Sequence, residues 1–337
     1  AKDWEEIHHT AEGMIDWLGG YVDVSGGIPS VKTLKRVISL LPTDRLGQLM
    51  QSFALLIKTN PTDSGPSNTI AIDGKSLRGC CGWNEKDRPL HLLHAWSSNS
   101  KLCIGQVSVD EKSNEITALP KLIELLEIKD AVITTDAMNT QKTTAEVVIS
   151  KKADYILPVK ENQPSLRQDI DLLFKEADSK EFKGFDAAKR ETIDKTGGRI
   201  EVRTYDLLDG SDLEVLKDWT GCTCIGRVTR KRTKGGKTSR ETCYYITSLD
   251  LDIDRFAKSV RDHWGIENGL HWSLDVLFSE DHHRYQDRIG AANLSVIRKL
   301  ALAIVSRDTT KKGGRPAKMM RAATSPTFRD HLLKNCF

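Results

Sequence analysis

No run of apolar residues in this 337-residue chain is long enough to cross a bilayer: the longest near the C-terminus, residues 300–305, falls far short of the roughly 20 required. No secretory apolar stretch opens the chain, and its first residue is Ala rather than Met. Its seven cysteines are odd in number and form neither a CxxC pair nor a zinc-like Cys/His spacing, which argues against a disulfide framework and a zinc finger. Net charge is nearly balanced at +3. Bulk charge therefore does not mark a nucleic-acid binder. There is also no internal repeat, which excludes a solenoid.

What is present points to two or three soluble domains. Hydrophobic residues make up 39% and charged residues 29%, enough for a large core under a polar surface. Positive charge is clustered rather than abundant. Residues 226–240 (GRVTRKRTKGGKTSR) hold seven Lys or Arg and no acid, and residues 298–321 hold eight against the single Asp308. Such clusters suit phosphate backbones, while solvated loops account for them about as well.

Residues 1–60 carry helical apolar spacing, with Ser30 and Asp44 as N-cap candidates. The Pro-, Ser- and Gly-rich stretch 59–68 reads as a linker and a domain boundary. Strand texture follows at 69–73, which ends on Asp73, then at 90–96 and 102–109, with a turn region around Gly74–Gly79. A helix to about 127 leads to strand 131–135, which again ends on an acid, Asp136. A helix, the strand 155–159 and a helix from 162 come next. Three strands followed by alternating helix and strand match an α/β, ribonuclease H-like catalytic core covering 69–178. Residues 179–250 read as an inserted, mostly β, basic subdomain with Gly235-Gly236 at a hairpin tip. Residues 251–308 return to the core as helices, and 309–337 form a basic tail.

In open α/β sheets, function collects at strand carboxyl ends, where Asp73 and Asp136 both sit. Asp also favours such positions as a turn residue. Further acids lie in residues 261–281 (RDHWGIENGLHWSLDVLFSED), read as one helix. At 100° per residue Ile266, Leu270, Leu274 and Leu277 share an arc, with Glu267, His271 and Asp275 along its edge. Charge at helical spacing usually marks a solvated face. Periodicity does not choose among Glu267, Asp275 and the pair Glu280-Asp281. Glu267 and Asp275 are about 12 Å apart along the axis, so one ligand position excludes both.

Seven segments in order, AIDGKSLRG (71–79), DEKSNEITALP (110–120), TTDAMNTQK (134–142), ADYILPVKENQ (153–163), GRIEVR (198–203), YYITSL (244–249) and HWGIENGLHWSLDVLFSED (263–281), resemble DDE-type insertion-sequence transposases. IPSVKTLKRV (28–37) extends the likeness upstream. The group is the one that includes the H repeat-associated proteins of Rhs elements. The resemblance implies that Asp73, Asp136 and Glu267 are the catalytic, metal-holding acids. It implies two Mg²⁺ ions, with Mn²⁺ able to substitute, and double-stranded DNA as partner, bound as a possible homodimer. His263, Asn268 and His271 stand beside the Glu as candidate supports. Lys75, Lys160, Asn162, Arg199, Arg203, Arg230, Lys231, Arg232 and Lys234 are candidate DNA contacts. The implied location is bacterial cytoplasm, on the nucleoid when DNA is bound, with no membrane partner. The chain departs from the usual pattern at Gly197, Glu161, His263 and Leu274; the broader pattern has Arg and Lys at the last two. The first residues look to begin inside the family's leading domain. A metal-dependent nuclease that cuts without joining and a catalytically silent DNA-binding relic are the rival expectations.

Overall fold

The computed structural model describes residues 1–57, 68–81, 88–109, 114–211, 213–310 and 312–335. The linker expected at 59–68 lies, apart from Asn68, outside them. The elements run α1 (Trp4–Glu12), α2 (Ile15–Leu18), α3 (Val31–Leu40), α4 (Thr43–Ile57), β1 (Thr69–Leu77), β2 (Leu90–Ser97), β3 (Leu102–Val109), α5 (Glu115–Glu124), β4 (Val132–Thr135), α6 (Lys142–Ser150), β5 (Asp154–Val159) and α7 (Pro164–Ser179). They continue as β6 (Ala187–Thr196), β7 (Arg199–Asp209), β8 (Cys224–Lys234), β9 (Lys237–Thr247), α8 (Ile253–His263), α9 (Trp272–Phe278), α10 (Arg288–Arg307), α11 (Arg315–Thr324) and α12 (Pro326–Lys334). The architecture is mixed α/β with a large, mostly antiparallel sheet.

Two compact units divide the chain: Ala1–Asp63, Gly74–Asn114 and Gly265–Phe337 form the first, Ser64–Asp73 and Glu115–Trp264 the second. β1 passes through both.

In the second unit the strands follow β1-β4-β5-β9-β8-β7-β6. β1, β4 and β5 are mutually parallel, whereas β9 pairs β5 antiparallel and begins a run of long antiparallel strands. The strands expected as an inserted subdomain therefore continue the same sheet. Gly235 and Gly236 link β8 to β9 with φ of 55° and 77°, the left-handed pair that a two-residue hairpin turn needs. β6 was not foreseen in AAKRETIDKT, because an edge strand with mostly exposed side chains carries little apolar alternation. The core packs Tyr205, Leu207 and Val228 of the sheet against Phe256 and Ala257 of α8.

In the first unit β2 pairs β3 antiparallel, and β2 neighbours β1. β1 does not stop at Asp73 for a turn but continues through Gly74 and Lys75 to Leu77, because Lys75 and Leu77 are both buried. Ser30 caps α3 as expected, its Oγ accepting from the Thr33 amide at 3.3 Å, a cap worth about 1 kcal/mol. Asp44 instead lies inside the first turn of α4.

The stretch 261–281 is not one helix. α8 ends at His263, a π-helical turn spans Ile266–His271, and α9 follows. α10 is long and apolar enough to cross a membrane, yet 67% of its apolar window is buried within the protein. Its Asn293, Ser295, Arg298 and Lys299 all make buried polar contacts, as suits a core helix. The expected basic tail contains α11 and α12, the latter capped by Ser325 and anchored by Phe328 and Leu332 against Val305.

Candidate active site

Ile72 of β1 pairs with Thr135 of β4 in parallel register. The next residues along are Asp73 and Asp136, on strands roughly 4.8 Å apart. Side chains alternate along a strand, so the two acids share a face with Thr69 and Thr134. That face meets α8: the Thr69 hydroxyl donates to Ser259 Oγ at 2.9 Å, and Thr134 Oγ1 lies 2.9 Å from His263 Nδ1. The alternate residues Ile70, Ile72 and Ile133 are fully buried. The shared register and alternation thus give Asp73, midway along β1, and Asp136, just past the end of β4, a common orientation.

The chain turns at once after Asp136, and its polar neighbours fix that turn. Asn139, fully buried, donates through Nδ2 to Glu115 Oε2 at 2.9 Å. Asn162 Nδ2 donates to the Ala137 carbonyl at 2.6 Å, and the Thr140 hydroxyl donates to the Pro158 carbonyl at 2.7 Å. Asn162, expected as a DNA contact, here braces the loop behind Asp136. Glu115 and Asn139 were missed as supports; their only sequence signal was membership of the segments 110–120 and 134–142.

Asp136 keeps 61% of its side chain exposed, with His263 Nε2 at 3.9 Å. If the Thr134 hydroxyl donates to Nδ1, the Nε2–H faces the carboxylate. His263, and to a smaller degree Lys160, hold the Asp136 carboxyl below the usual carboxylate range, against the opposing effect of burial. His263 stands where the broader family pattern has Arg, and the structure shows what it does here. Two aspartates with hard oxygen donors, one of them kept ionised and open to solvent, suit Mg²⁺. They do not suit a soft-ligand metal.

Glu267 belongs to the first unit, exposed, within the π-helical turn. Such turns are uncommon and frequent at functional sites. The apolar arc read from the sequence is present: Ile266, Leu270, Leu274 and Leu277 are all buried. Gly265 and Gly269 admit Trp96, since a Cβ on Gly269 would lie 2.9 Å from its ring. Arg315 donates to the Gly269 carbonyl at 2.9 Å and to Ser273 Oγ at 2.6 Å. Asn268 is exposed.

The other residues of the polar stripe turn inward. His271 Nε2 lies 3.1 Å from Nδ1 of fully buried His94, and burial pushes His271 down to about 3, so it is neutral. Asp275 receives the Lys75 ammonium at 2.7 Å on both oxygens, and Asp281 Oδ1 is 3.1 Å from the same nitrogen. Lys75 is only 8% exposed, so its charge is committed to these acids rather than presented to DNA.

Among the other DNA candidates, Lys160 is exposed beside Asp136. Arg203 is paired with Glu201 and Asp194, and Arg230 with Glu241. Arg199 lies 3.6 Å from Glu201. Lys231, Arg232 and Lys234 are exposed on β8.

The chain matches the family model described as "Transposase DDE domain" over residues 64–304, well over half its length. It belongs to the DDE transposases. It is 34% identical over 336 residues to the "H repeat-associated putative transposase YhhI" of Escherichia coli K12, covering 97% of this chain and 86% of that protein. It is 32% identical over 344 residues to the "Putative transposase YncI" of Escherichia coli O157:H7, covering 100% of this chain and 86% of that protein. A solved piggyBac transposase synaptic complex with hairpin DNA overlaps 98% of this chain and 79% of that one at 12% identity and a TM-score of 0.43, too weak a likeness to bear on fold or function. The family segment includes Asp73, Asp136 and Glu267. It thus takes in every acid that the sequence singled out for catalysis.

Proposed function

We propose that this DDE transposase cleaves the ends of a mobile element and joins them to target DNA, using Asp73, Asp136 and Glu267. The observation that carries the reading is the placing of Asp73, within β1, and Asp136, just past the end of β4, one residue beyond the parallel pair Ile72–Thr135 and on one face, with Asp136 held ionised. The parallel neighbours β1, β4 and β5 of the second unit, with helices between them in the chain, support a ribonuclease H-like core. Glu267 supplies the third carboxylate. It follows His263 by four residues, and His263 itself touches Asp136.

The three carboxylates would hold two Mg²⁺ ions, which when bound neutralise phosphoryl charge and activate an oxygen nucleophile. The chain's own part is to keep those carboxylates ionised and in place. His263 holds Asp136 charged, and the Asn139–Glu115 and Asn162–Ala137 bonds fix the loop behind it. In the first step a water oxygen bonds to phosphorus at the element end and the 3′ oxygen leaves. In the second, that 3′-hydroxyl attacks a target phosphodiester and displaces a new 3′ oxygen. Both are phosphoryl transfers without net redox change, and no protein nucleophile is consumed.

The test incubates the protein and Mg²⁺ with a labelled duplex carrying an element end and a target plasmid. Labelled end covalently joined to the plasmid supports the reading. Cleaved end without joined product supports the nuclease alternative instead.

A further inference from the structure

The long strands of the second unit raise a separate question, because their outer halves extend well past the acids. Strand register fixes where they go. Thr134 pairs with Ile156, so Asp136, two residues on, is level with Pro158, which pairs with Tyr245, which pairs with Gly226. Lys237 lies eight positions before Tyr245 on β9, and Lys234 eight positions after Gly226 on β8. Both are therefore about 27 Å beyond the acids along the strands and, for β8, about 14 Å across the sheet. The overhang is on the side of the β4 carboxyl end, just past which Asp136 sits.

Register also fixes faces. Counting by twos from Asp136 through these pairings puts Val228, Arg230, Arg232 and Lys234 of β8 on the acids' face. Lys237 of β9 and Arg199 and Arg203 of β7 join them. Lys231 and its cross-strand partner Arg240 point to the opposite face.

The charges on the acids' face change along the arm. Nearer the acids, Arg203 and Arg230 are neutralised by Glu201, Asp194 and Glu241. At the tip, Arg199, Lys234 and Lys237 lie in one row across three adjacent strands, with only Glu201 near Arg199. Among the described residues no carboxylate comes within ion-pair distance of Arg232, Lys234 or Lys237; Glu201, which stands opposite Arg232 in register, is engaged with Arg199 and Arg203 instead. Like charges directly opposite one another on neighbouring strands are destabilising. A row of three is a cost to folding that a polyanion laid across it would offset.

We propose that the acid-bearing face of this four-strand arm is a duplex-tracking surface, on which Arg232, Lys234 and Lys237 grip the DNA backbone about eight or nine base pairs from the reacting phosphate. The distance is the arm's reach divided by the roughly 3.4 Å rise of the duplex. This rests on the transposase reading and adds which face carries the DNA and how far it extends.

The experiment measures binding of fluorescent blunt duplexes of 6, 12 and 24 base pairs across a salt series. It compares the full chain, the triple variant Arg232→Ala/Lys234→Ala/Lys237→Ala and the opposite-face variant Lys231→Ala/Arg240→Ala. The triple variant is expected to lower the slope of log K against log salt by about 2.7, at about 0.9 per phosphate contact. It should also abolish the gain in affinity between 6 and 12 base pairs. The opposite-face variant should keep both the slope and the gain. Equal losses in the two variants, or none in either, would overturn the inference. All three proteins are also assayed for Mn²⁺-dependent plasmid nicking beside Asp136→Asn. Nicking that depends on Asp136 while the two faces behave alike would sink the arm and leave the transposase reading standing. Nicking indifferent to Asp136 would sink the reading itself.

Discussion

Lys75→Met separates two roles for one residue. The sequence offered Lys75 as a phosphate contact, whereas the structure buries it between Asp275 and Asp281. The variant keeps most of the apolar stem and removes the ammonium, leaving two carboxylates facing one another. Removing one partner of a fully buried pair costs about 3–5 kcal/mol. Here Asp275 and Asp281 keep 35% and 20% of their side-chain exposure, so water offsets part of that and about 2–3 kcal/mol remains. With a urea slope of about 3 kcal/mol/M, the unfolding midpoint should fall by about 0.7–1 M. Buried Trp4 and Trp96 in the same unit supply the fluorescence signal. Asp275→Asn should cost less, because Asp281 still faces the ammonium. An unchanged midpoint for Lys75→Met, together with a salt dependence of DNA binding flattened by about 0.9, would instead mark Lys75 as a phosphate contact.

Three further outcomes follow from the site. His263→Ala removes the main group holding Asp136 below the usual carboxylate range. Wild-type Asp136 stays ionised, and its stabilising contribution persists, until pH falls through a value under 3.8; in the variant the acid limb of cleavage should move up in pH and Mn²⁺ affinity should drop about 10–100-fold, read by titration. Gly79→Ala puts a Cβ 2.4 Å from the His283 carbonyl oxygen, a backbone atom with no room to move, so thermal or urea unfolding should show a loss of about 1–3 kcal/mol. Cleavage should stop in EDTA and return with Mg²⁺ or Mn²⁺; full activity in the chelator would refute the all-carboxylate site.

How much of this was legible in the sequence depended on whether the signal was local. Asp73 and Asp136 could be found because each ends a short β-branched run, and the parallel register of β1 and β4 then places them side by side. Ser30 as a cap and Gly235-Gly236 as a hairpin tip are local signals too, and both are present. The π-helical turn was invisible, because the apolar arc of Ile266, Leu270, Leu274 and Leu277 survives the change of pitch. Lys75 looked like a phosphate contact for a related reason. Its partners Asp275 and Asp281 are distant in sequence, so a buried ammonium read as surface charge. β6 and the helix α11 carry mostly exposed, polar residues, and neighbouring elements rather than intrinsic patterning define them.

Whether Asp73, Asp136 and Glu267 work as one set is decided by a single comparison of plasmid nicking. Asp73→Asn, Asp136→Asn, Glu267→Gln and Asp275→Asn are assayed beside the wild-type protein in Mn²⁺, each checked for folding by its unfolding midpoint. The first three are expected to be folded and silent, while Asp275→Asn retains measurable nicking despite its weakened tie to Lys75. An active Glu267→Gln protein beside a folded but dead Asp275→Asn protein would contradict this expectation.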